Sequence, residues 1–351
     1  MKISYILGLM KLALLAFSPI SRLACRIKDG LYRRGLLKAR KAPLPTVSVG
    51  NLSFGGTEKT PLAMELIAHL VRMGHRPAFV SRGYRGSWER KGGILSDGST
   101  LLGTWEDGGD EPFMVARRFP KAGVFVGRDR LASCLKAREL GFTAIVLDDA
   151  FQHRRLARDL DVVLINNAER RPLREGPAAL ARADVILARW REGPPDIAAA
   201  RVSFPKASAF SYKVVPRAFI EPGANGREHS PAFLKGQPVF AFCGIAGPQR
   251  FLATLKALGA EVAGSLFFPD HYRYSPESLK KIRDAYGDSG ARILITTEKD
   301  IWKLRQNGRS GEESLDLPVM FLRIGLDISP GFYKRFEAAI GPAAAAAKGP
   351  E

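Results

Sequence analysis

The sequence predicts an α/β fold in which a parallel-sheet domain is followed by a second, smaller α/β domain. After Pro45, short apolar runs alternate with stretches of helical periodicity, a pattern typical of βαβ units with a parallel sheet. Between residues 204 and 236 glycine, proline and polar residues dominate, and a second series of apolar runs follows. With 351 residues, the chain is long enough for two domains.

Shifts in composition predict the domain boundaries. We expect a membrane-associating helix within residues 1–41, a phosphate-binding domain in 42–205, an extended linker in 206–236, a smaller α/β domain in 237–340 and a frayed tail in 341–351. The predicted strands are Thr46–Val49, Ala78–Ser81, Val124–Val126, Ala144–Leu147, Val162–Ile165, Val185–Ala188, Val239–Phe242, Arg292–Thr296 and Val319–Leu322.

The first forty residues join an apolar segment to a basic one. Residues 3–20 are strongly apolar, but Lys11 interrupts them and they are marginal for a spanning helix. Residues 22–41 carry eight basic side chains against one acid, Asp29. Because a secretory signal has its positive charges before the apolar core, we predict instead a helix that lies on an anionic membrane surface. An ordinary docking helix with a solvated basic face is the alternative.

Overall composition narrows the function classes. The net charge of +19 indicates an anionic partner, such as nucleic acid, anionic lipid or a polyphosphate. No RNA-binding or DNA-binding module is visible in the sequence, so we expect no nucleic-acid partner. The three cysteines are far apart and form no CxxC pair, which argues against a structural zinc site and fits a reducing compartment.

A phosphate-binding loop is predicted between the first strand and the first helix. Residues 46–61 read TVSVGNLSFGGTEKTP, the strand–loop–helix context of a Walker A motif. Lys59 would reach the β- and γ-phosphates of ATP, and the Thr60 hydroxyl would bind Mg²⁺. Ser53 and Glu58 replace the two glycines of the strict pattern, and Glu58 places a carboxylate beside the phosphates. The predicted ATP-binding residues are Ser53, Phe54, Gly55, Gly56, Thr57, Glu58, Lys59 and Thr60.

An acidic pair ends a later strand. Residues 144–153 read AIVLDDAFQH, so Asp148 and Asp149 follow an apolar strand. Carboxylates at the carboxyl ends of parallel strands face the ligand crevice. We therefore predict that Thr60, Asp148 and Asp149 hold Mg²⁺, although an Asp pair can also begin a turn.

Several longer segments resemble one enzyme family, the tetraacyldisaccharide 4′-kinases of lipid A biosynthesis. These segments are VGNLSFGGTEKTP (49–61), SRGYRG (81–86), GDEP (109–112), VGRDR (126–130), DDAFQHRRLARDLD (148–161), FCGIAGPQRF (242–251), FPDHY (268–272) and TTEKD (296–300). They span roughly residues 45–325. The resemblance implies ATP-dependent phosphorylation of the 4′-hydroxyl of an acylated disaccharide 1-phosphate, with ATP and Mg²⁺ as cofactors.

The resemblance also assigns a fold, a location and catalytic residues. It implies a P-loop NTPase-like domain and a peripheral, monotopic attachment to the cytoplasmic face of the inner membrane. We also expect a monomer. Asp110 is implied as the general base, supported by His271 and assisted by Lys59. Since Asp110 and His271 fall in different predicted domains, we expect their contact to form only when the domains close around substrate. On sequence alone, Asp110 could instead cap a helix, and His271 could lie in a surface turn.

Other residues carry weaker assignments or depart from the family pattern. The predicted substrate residues are Arg82, Tyr84, Glu111, Gln152 and His153. Glu58 replaces the glycine expected before Lys59, which puts ATP affinity in doubt. Ala150 replaces the glycine of DDGFQH. An altered segment at residues 170–177 puts substrate contacts through Arg174 and Glu175 in doubt.

Two other function classes remain open at the level of sequence. A P-loop NTPase switch would hydrolyse nucleotide under the control of a partner and would form no phospholipid. A non-catalytic relative would bind lipid without turnover, with Glu58 blocking the nucleotide. Both leave the predicted α/β architecture unchanged.

Overall fold

The structure, a computed structural model, describes most of the folded chain. The described residues are 23, 25, 27–32, 34–53, 58–166, 173–190, 195, 197–223, 226–304 and 317–343. The apolar segment at residues 3–20 and the loop residues Phe54, Gly55, Gly56 and Thr57 therefore lie outside them. Residues 27–32 are helical. Within the described ranges, no helix has both the length and the apolar character needed to cross a membrane.

Strands and helices alternate along most of the chain. The strands are β1 (Arg40–Lys41), β2 (Thr46–Asn51), β3 (Pro77–Ser81), β4 (Gly93–Asp97), β5 (Gly123–Val126), β6 (Ala144–Asp148), β7 (Leu156–Ala157), β8 (Leu160–Ile165), β9 (Val185–Arg189), β10 (Ser208–Ile220), β11 (Glu228–His229), β12 (Pro238–Cys243), β13 (Glu261–Phe267), β14 (Ile293–Thr297) and β15 (Val319–Ile328). The α-helices are α1 (Lys59–Arg72), α2 (Trp105–Gly108), α3 (Asp110–Arg118), α4 (Arg130–Glu139), α5 (Ile197–Ser203), α6 (Pro248–Ala257), α7 (Pro276–Gly287), α8 (Glu298–Leu304) and α9 (Gly331–Ile340). Short 3₁₀ turns occupy Ser87–Glu89, Pro177–Arg182 and Pro231–Leu234.

The chain divides into two compact units that are not contiguous in sequence. Unit 1 contains Met1–Arg82, Asp129–Lys213 and Asp327–Glu351, and unit 2 contains Gly83–Arg128 and Val214–Leu326. This division differs from the predicted boundaries, because residues 83–128 belong to unit 2 rather than to the phosphate-binding domain. The packing of α3 against α8 ties this segment to the later part of the chain. The predicted linker contains β10, a 13-residue strand that runs through both units.

Unit 1 is built on a parallel sheet. Its strand order is β10–β9–β8–β2–β6–β3, and every neighbouring pair is parallel. Strand β6 is buried along its whole length and reads as a continuous apolar run up to Asp148. Strand β2 is equally buried but carries Thr46 and Ser48 beside its two valines. Helix α1 buries Leu62, Leu66 and Leu70, which share one face at a spacing of four residues, whereas Val71 is 48% exposed.

Unit 2 contains a second set of strands. Its order is β13–β12–β14–β15, with parallel pairing throughout, and β11 pairs antiparallel with β10. Alternate residues of β12 face two core clusters: Phe240 and Phe242 enter one, and Val239 and Ala241 enter the other. Strands β4 and β5 form an antiparallel pair in the same unit. The predicted α/β class with a mostly parallel sheet is thus confirmed.

Candidate active site

The phosphate-binding loop of unit 1 joins two well-packed elements. Strand β2 ends at Asn51, and α1 begins at Lys59. The Lys59 ammonium lies 3.1 Å from Asp149 Oδ1 and donates to Asn51 Oδ1 at 3.3 Å. Thr60, the next residue, is buried at the first turn. The lysine is therefore held at the carboxyl ends of β2 and β6, where a phosphate-binding lysine is needed.

Glu58 adopts the backbone conformation that glycine favours. Its φ of 55° and ψ of 24° lie in the left-handed region, which costs a non-glycine residue about 1 to 2 kcal/mol. Its carboxylate forms an ion pair with Arg189 at the end of β9 and accepts a hydrogen bond from the Tyr212 hydroxyl at 3.4 Å. The negative charge that the sequence places beside the phosphates is thus neutralised within unit 1.

The acidic end of β6 is also bound by cations. Asp149 forms ion pairs with Lys59 and with Arg174, the latter at 2.8 Å. Burial alone would raise the pKa of Asp149, but these two cations outweigh it and hold the pKa at about 2. Asp148 is buried and accepts a hydrogen bond from the Ser81 hydroxyl at 3.3 Å.

The turn after β6 explains why small residues stand at positions 150 and 50. Asp149 has a φ of 47°, whereas Ala150 is not among the residues with positive φ. Replacing the expected glycine by Ala150 therefore introduces no left-handed strain. Gly50 faces this turn closely, because a Cβ there would lie 2.4 Å from Phe151 Cβ.

The predicted magnesium ligands fit the chemistry of that ion. A buried hydroxyl at Thr60 and two carboxylates at the end of β6 supply hard oxygen donors. In the described part of the chain, no group of three or more His, Cys, Asp or Glu side chains converges on a metal position. Mg²⁺ is usually held by one or two carboxylates together with phosphate oxygens and water, so this sparse donor set suits it.

A second group of functional side chains lies in unit 2. Asp110, the first residue of α3, is 7% exposed at its side chain, and Oδ2 lies 3.1 Å from His271 Nδ1. Two lysines of α8 approach the same oxygen, Lys303 at 3.3 Å and Lys299 at 3.8 Å. Burial would raise the pKa of Asp110, but the hydrogen bond from His271 and the charges of both lysines lower it to about 2. Asp110 is therefore ionised at neutral pH and can accept a proton.

Two glycines, Gly86 and Gly109, shape the backbone next to Asp110 and His271. A Cβ on Gly86 would lie 2.4 Å from the Asp107 carbonyl oxygen, and Gly109 has a φ of 89°. The SRGYRG loop can therefore pack directly on the turn that precedes α3. Tyr84, which is 56% exposed, lies edge-on to the His271 ring with the centroids 5.9 Å apart. His271 itself has a φ of 61°, a strained conformation of the kind that accumulates at functional sites.

The expectation that Asp110 and His271 meet only on domain closure is wrong, and the alternative role of Asp110 as a helix cap is not observed. The residues belong to the same unit and already touch, so their contact does not depend on domain closure. Asp110 does not cap α3 either, because Gly109 is the N-cap residue and makes no side-chain cap. The side chain of Asp110 instead points its Oδ2 at His271 and the two lysines.

The predicted substrate residues fall into both units. The side-chain amide of Gln152 donates to the Asn51 backbone carbonyl oxygen at 2.9 Å, and the backbone carbonyl of Gln152 accepts from Lys28 at 3.3 Å. Burial is the main cause that lowers the pKa of His153 to about 4, and the positive charge of Arg130 adds to it. Its ring is therefore neutral at pH 7. These residues belong to unit 1, as does the exposed Arg82, whereas Tyr84 and Glu111 belong to unit 2.

Comparison with known proteins identifies the family. A sequence profile for tetraacyldisaccharide-1-P 4′-kinase (LpxK) matches residues 10–341. The chain belongs to this kinase family.

Individual relatives agree with this assignment. The chain is 36% identical to a tetraacyldisaccharide 4′-kinase of Syntrophus aciditrophicus, over 93% of this chain and 91% of that one. It is 40% identical to the enzyme of the same name from Anaeromyxobacter dehalogenans, over 83% and 80% of the two chains. Its fold matches the crystal structure of LpxK from Aquifex aeolicus in complex with ATP, with a TM-score of 0.75, 30% identity and coverage of 94% and 98%.

The altered segment of this family member has internal partners. Arg174 binds Asp149, and Glu175, which is 4% exposed, binds Arg182 at 2.7 Å. Residues 170–172 lie outside the described ranges. Both side chains that the sequence offers for substrate contact are therefore engaged with other residues of unit 1.

Sequence reasoning missed three residues at these two clusters of the kinase. Arg189 reads as the last residue of a buried strand, and nothing in the sequence pairs it with Glu58. Asp300 and Lys303 read as one turn of an ordinary amphipathic helix, yet their side chains are 0% and 1% exposed. Asp300 ends the family-like segment TTEKD, whereas the spacing of three residues from Asp300 was the one local signal for Lys303.

Proposed function

We propose that this chain transfers the γ-phosphate of ATP to the 4′-hydroxyl of a tetraacyldisaccharide 1-phosphate, a step of lipid A biosynthesis. Membership of the kinase family supports this substrate class. The observation that carries the proposal is the contact of the ionised Asp110 carboxylate with His271. A sugar hydroxyl is a weak nucleophile, and a positioned carboxylate can accept its proton as the new bond to phosphorus forms.

The nucleotide half of the reaction draws on unit 1. ATP would bind the loop at residues 53–60, with Lys59 on its β- and γ-phosphates. The structural relative with ATP supports this nucleotide. Thr60, Asp148 and Asp149 would hold Mg²⁺, which neutralises charge on the transferred phosphate. Lys59 and Arg174 compensate Asp149 in the structure, and both would be available to phosphate oxygens if Mg²⁺ were bound to that carboxylate.

The acceptor half draws on unit 2. Asp110 would take the proton of the 4′-hydroxyl, and His271 would orient the carboxylate through Nδ1. We assign Arg82, Tyr84, Glu111, Gln152 and His153 to substrate binding. The exposed Tyr84 ring beside His271 offers an apolar face of the kind that stacks on a sugar.

A peripheral membrane location suits this substrate. The basic residues 22–41 would lie on the anionic cytoplasmic face of the inner membrane, where the acylated acceptor resides. We also propose that the chain acts as a monomer, since the two clusters supply a base, a phosphate-binding lysine and metal ligands from one chain.

A transfer assay tests the proposal. Purified wild type and Glu58→Gly would be incubated with γ-labelled ATP, Mg²⁺ and tetraacyldisaccharide 1-phosphate in detergent micelles. We expect label in the lipid with both proteins. Label with Glu58→Gly alone would mean that this chain is a silenced relative. Label released as phosphate, with none in the lipid from either protein, would favour an NTPase switch.

A further inference from the structure

Lys303 is an unusually buried lysine. Its side chain is 1% exposed, and its ammonium lies 3.3 Å from Asp110 Oδ2 and 3.0 Å from Asp300 Oδ1. It also donates to the Tyr272 carbonyl oxygen at 3.1 Å. The ammonium donates hydrogen bonds to Asp110 and Tyr272, and Asp300 Oδ1 lies beside it as an ion-pair partner. Burial of a charge is costly unless it is paired in this way, so the position favours a cation.

Asp300 forms an ion pair with the Lys303 ammonium and is itself fixed by other residues. Its side chain is fully buried, and Oδ2 accepts from the Gly244 backbone N–H at 3.0 Å and from the Thr297 hydroxyl at 2.7 Å. With Oδ2 fixed by these two donors, Oδ1 faces Lys303. The order Asp300, Lys303, Asp110, His271 is therefore a continuous chain of alternating charged or polar groups within unit 2.

The contacts to Asp110 are all made on one oxygen. Within the described ranges, His271, Lys303 and Lys299 approach Oδ2, and Oδ1 forms no hydrogen bond or ion pair. A carboxylate held on one side in this way cannot rotate without breaking several charge-assisted bonds. Its second oxygen is then presented in a fixed direction.

We infer that Lys303, backed by Asp300, is a positioning residue that orients Asp110 for proton transfer. The inference rests on the proposed function. Lys303 anchors Oδ2 so that Oδ1 is the atom that meets the acceptor hydroxyl. As the hydroxyl oxygen bonds to the γ-phosphorus, the bond to the β,γ-bridging oxygen breaks with its electron pair leaving on ADP. The hydroxyl proton passes to Asp110 Oδ1, and Lys303 keeps its own.

Other charged and titratable groups surround the carboxylate, and they limit what Lys303 alone can do. They are Tyr84, Arg85, Glu111, Asp270, His271, Tyr274, Lys299 and Asp300. Lys299 is divided between Asp270, at 2.9 Å, and Asp110, at 3.8 Å. Lys303 is thus the nearer of the two lysines to Asp110.

Two variants and a control test the inference. Lys303→Met removes the ammonium at similar length, and Lys303→Met/Asp300→Asn also removes the carboxylate left behind while keeping an oxygen for Gly244 and Thr297. Lys280→Met, at an exposed site on α7, is the matched control. The readouts are kcat, KM for ATP, and the titration of the Asp110 side-chain carbon by ¹³C NMR, assigned with Asp110→Asn.

We expect the double variant to fold, to keep its KM for ATP within about twofold and to lose at least about tenfold in kcat. The Asp110 carbon should titrate about 1 to 3 pH units higher than in wild type. An unchanged kcat, or an unchanged Asp110 titration, would overturn the inference. If Lys303→Met fails to fold, the double variant decides. If wild type transfers no phosphate, the proposed function fails, while the titration still reports whether Lys303 acts on Asp110.

Discussion

Glu58 departs from the glycine of the phosphate-binding pattern, and its ion pair with Arg189 compensates for the added charge. Glu58 carries both a left-handed backbone and a negative charge into the loop. Its side chain is 12% exposed and that of Arg189 is 14% exposed, so the pair is largely withdrawn from water. Removing one partner of an ion pair with this burial is much more destabilising than replacing both partners together.

The loop pair gives a prediction about ATP affinity. Arg189→Ala leaves the Glu58 carboxylate without its cation beside the phosphates, and we expect the Kd for ATP to rise by about tenfold or more. Glu58→Gly removes the charge and the left-handed strain together, so ATP should bind at least as tightly as to wild type. Isothermal titration with both variants and their combination completes a double-mutant cycle. If the change in binding free energy of the double variant equals the sum of the two single changes, the pair is not coupled.

Lys59 gives a second prediction. Because its ammonium neutralises Asp149 and would contact the transferred phosphate, Lys59→Ala should lower the rate of phosphoryl transfer by at least about a hundredfold. A steady-state assay with labelled ATP measures the loss, with the exposed Lys280→Met as control. A Lys59→Ala enzyme that keeps full activity would refute this role.

At the scale of elements, Asp29 joins the helical residues 27–32 to the rest of unit 1. Asp29 forms ion pairs with Arg154 and with Arg182, the latter at 2.8 Å. Residues 22–41 contain eight basic side chains and a single acidic one, Asp29. Both arginines also stack on rings, Arg154 on Tyr32 and Arg182 on Phe151. The basic segment is thereby joined to the DDAFQH turn.

We expect Asp29→Ala to loosen this segment without unfolding the sheet. The two arginines lose a shared partner that is 21% exposed, and pairs of this partial exposure contribute about 1 kcal/mol or less each. Hydrogen exchange of residues 27–32 should accelerate, while β2 and β6 keep their protection. Asp288→Ala, at an exposed position after α7, serves as control. Unchanged exchange in Asp29→Ala would rule out the tie.

The strands show what the sequence could and could not predict. The buried central strand β6 is a nearly continuous apolar run, and β2 is a short β-branched segment before a glycine-rich loop, so local pattern located both. Strands β4 and β13 escaped prediction because each contains glycine and is partly exposed. Asp110 and His271 were found only through the family resemblance, since their contact joins residues 161 positions apart. Asp300 and Lys303 escaped because burial of an acid–lysine pair leaves no mark in local periodicity.

At the scale of the whole molecule, three groups with lowered pKa values contribute to the response to acid: the buried Asp110 and the partly buried Asp149 and His153. The pKa of His153 is about 4, well below its ordinary value, so folding favours its neutral ring. Stability is therefore lost as the pH falls from about 6.5 to 4. The pKa values of Asp110 and Asp149 are about 2, so their contribution is complete above about pH 4 and is lost as the pH falls towards 2.

Acid unfolding should therefore proceed in two separate pH windows. We expect wild type to lose about 1 to 2 kcal/mol between pH 6.5 and 4, after allowance for solvent screening of His153. His153→Gln should flatten this first window and leave the second unchanged. Urea unfolding at pH 7, 5.5 and 4 measures the difference. A His153→Gln protein with the wild-type slope would assign the first window to other groups.

The proposed reaction requires groups from both units of the chain, and Asp110 is the group on which the acceptor chemistry depends. The most direct measurement is transfer of labelled phosphate from ATP to tetraacyldisaccharide 1-phosphate by wild type and Asp110→Asn, with ATP binding measured in parallel. We predict labelled lipid with wild type, a rate at least about a hundredfold lower with Asp110→Asn, and equal ATP affinity. Wild-type transfer by Asp110→Asn would contradict its role as the base.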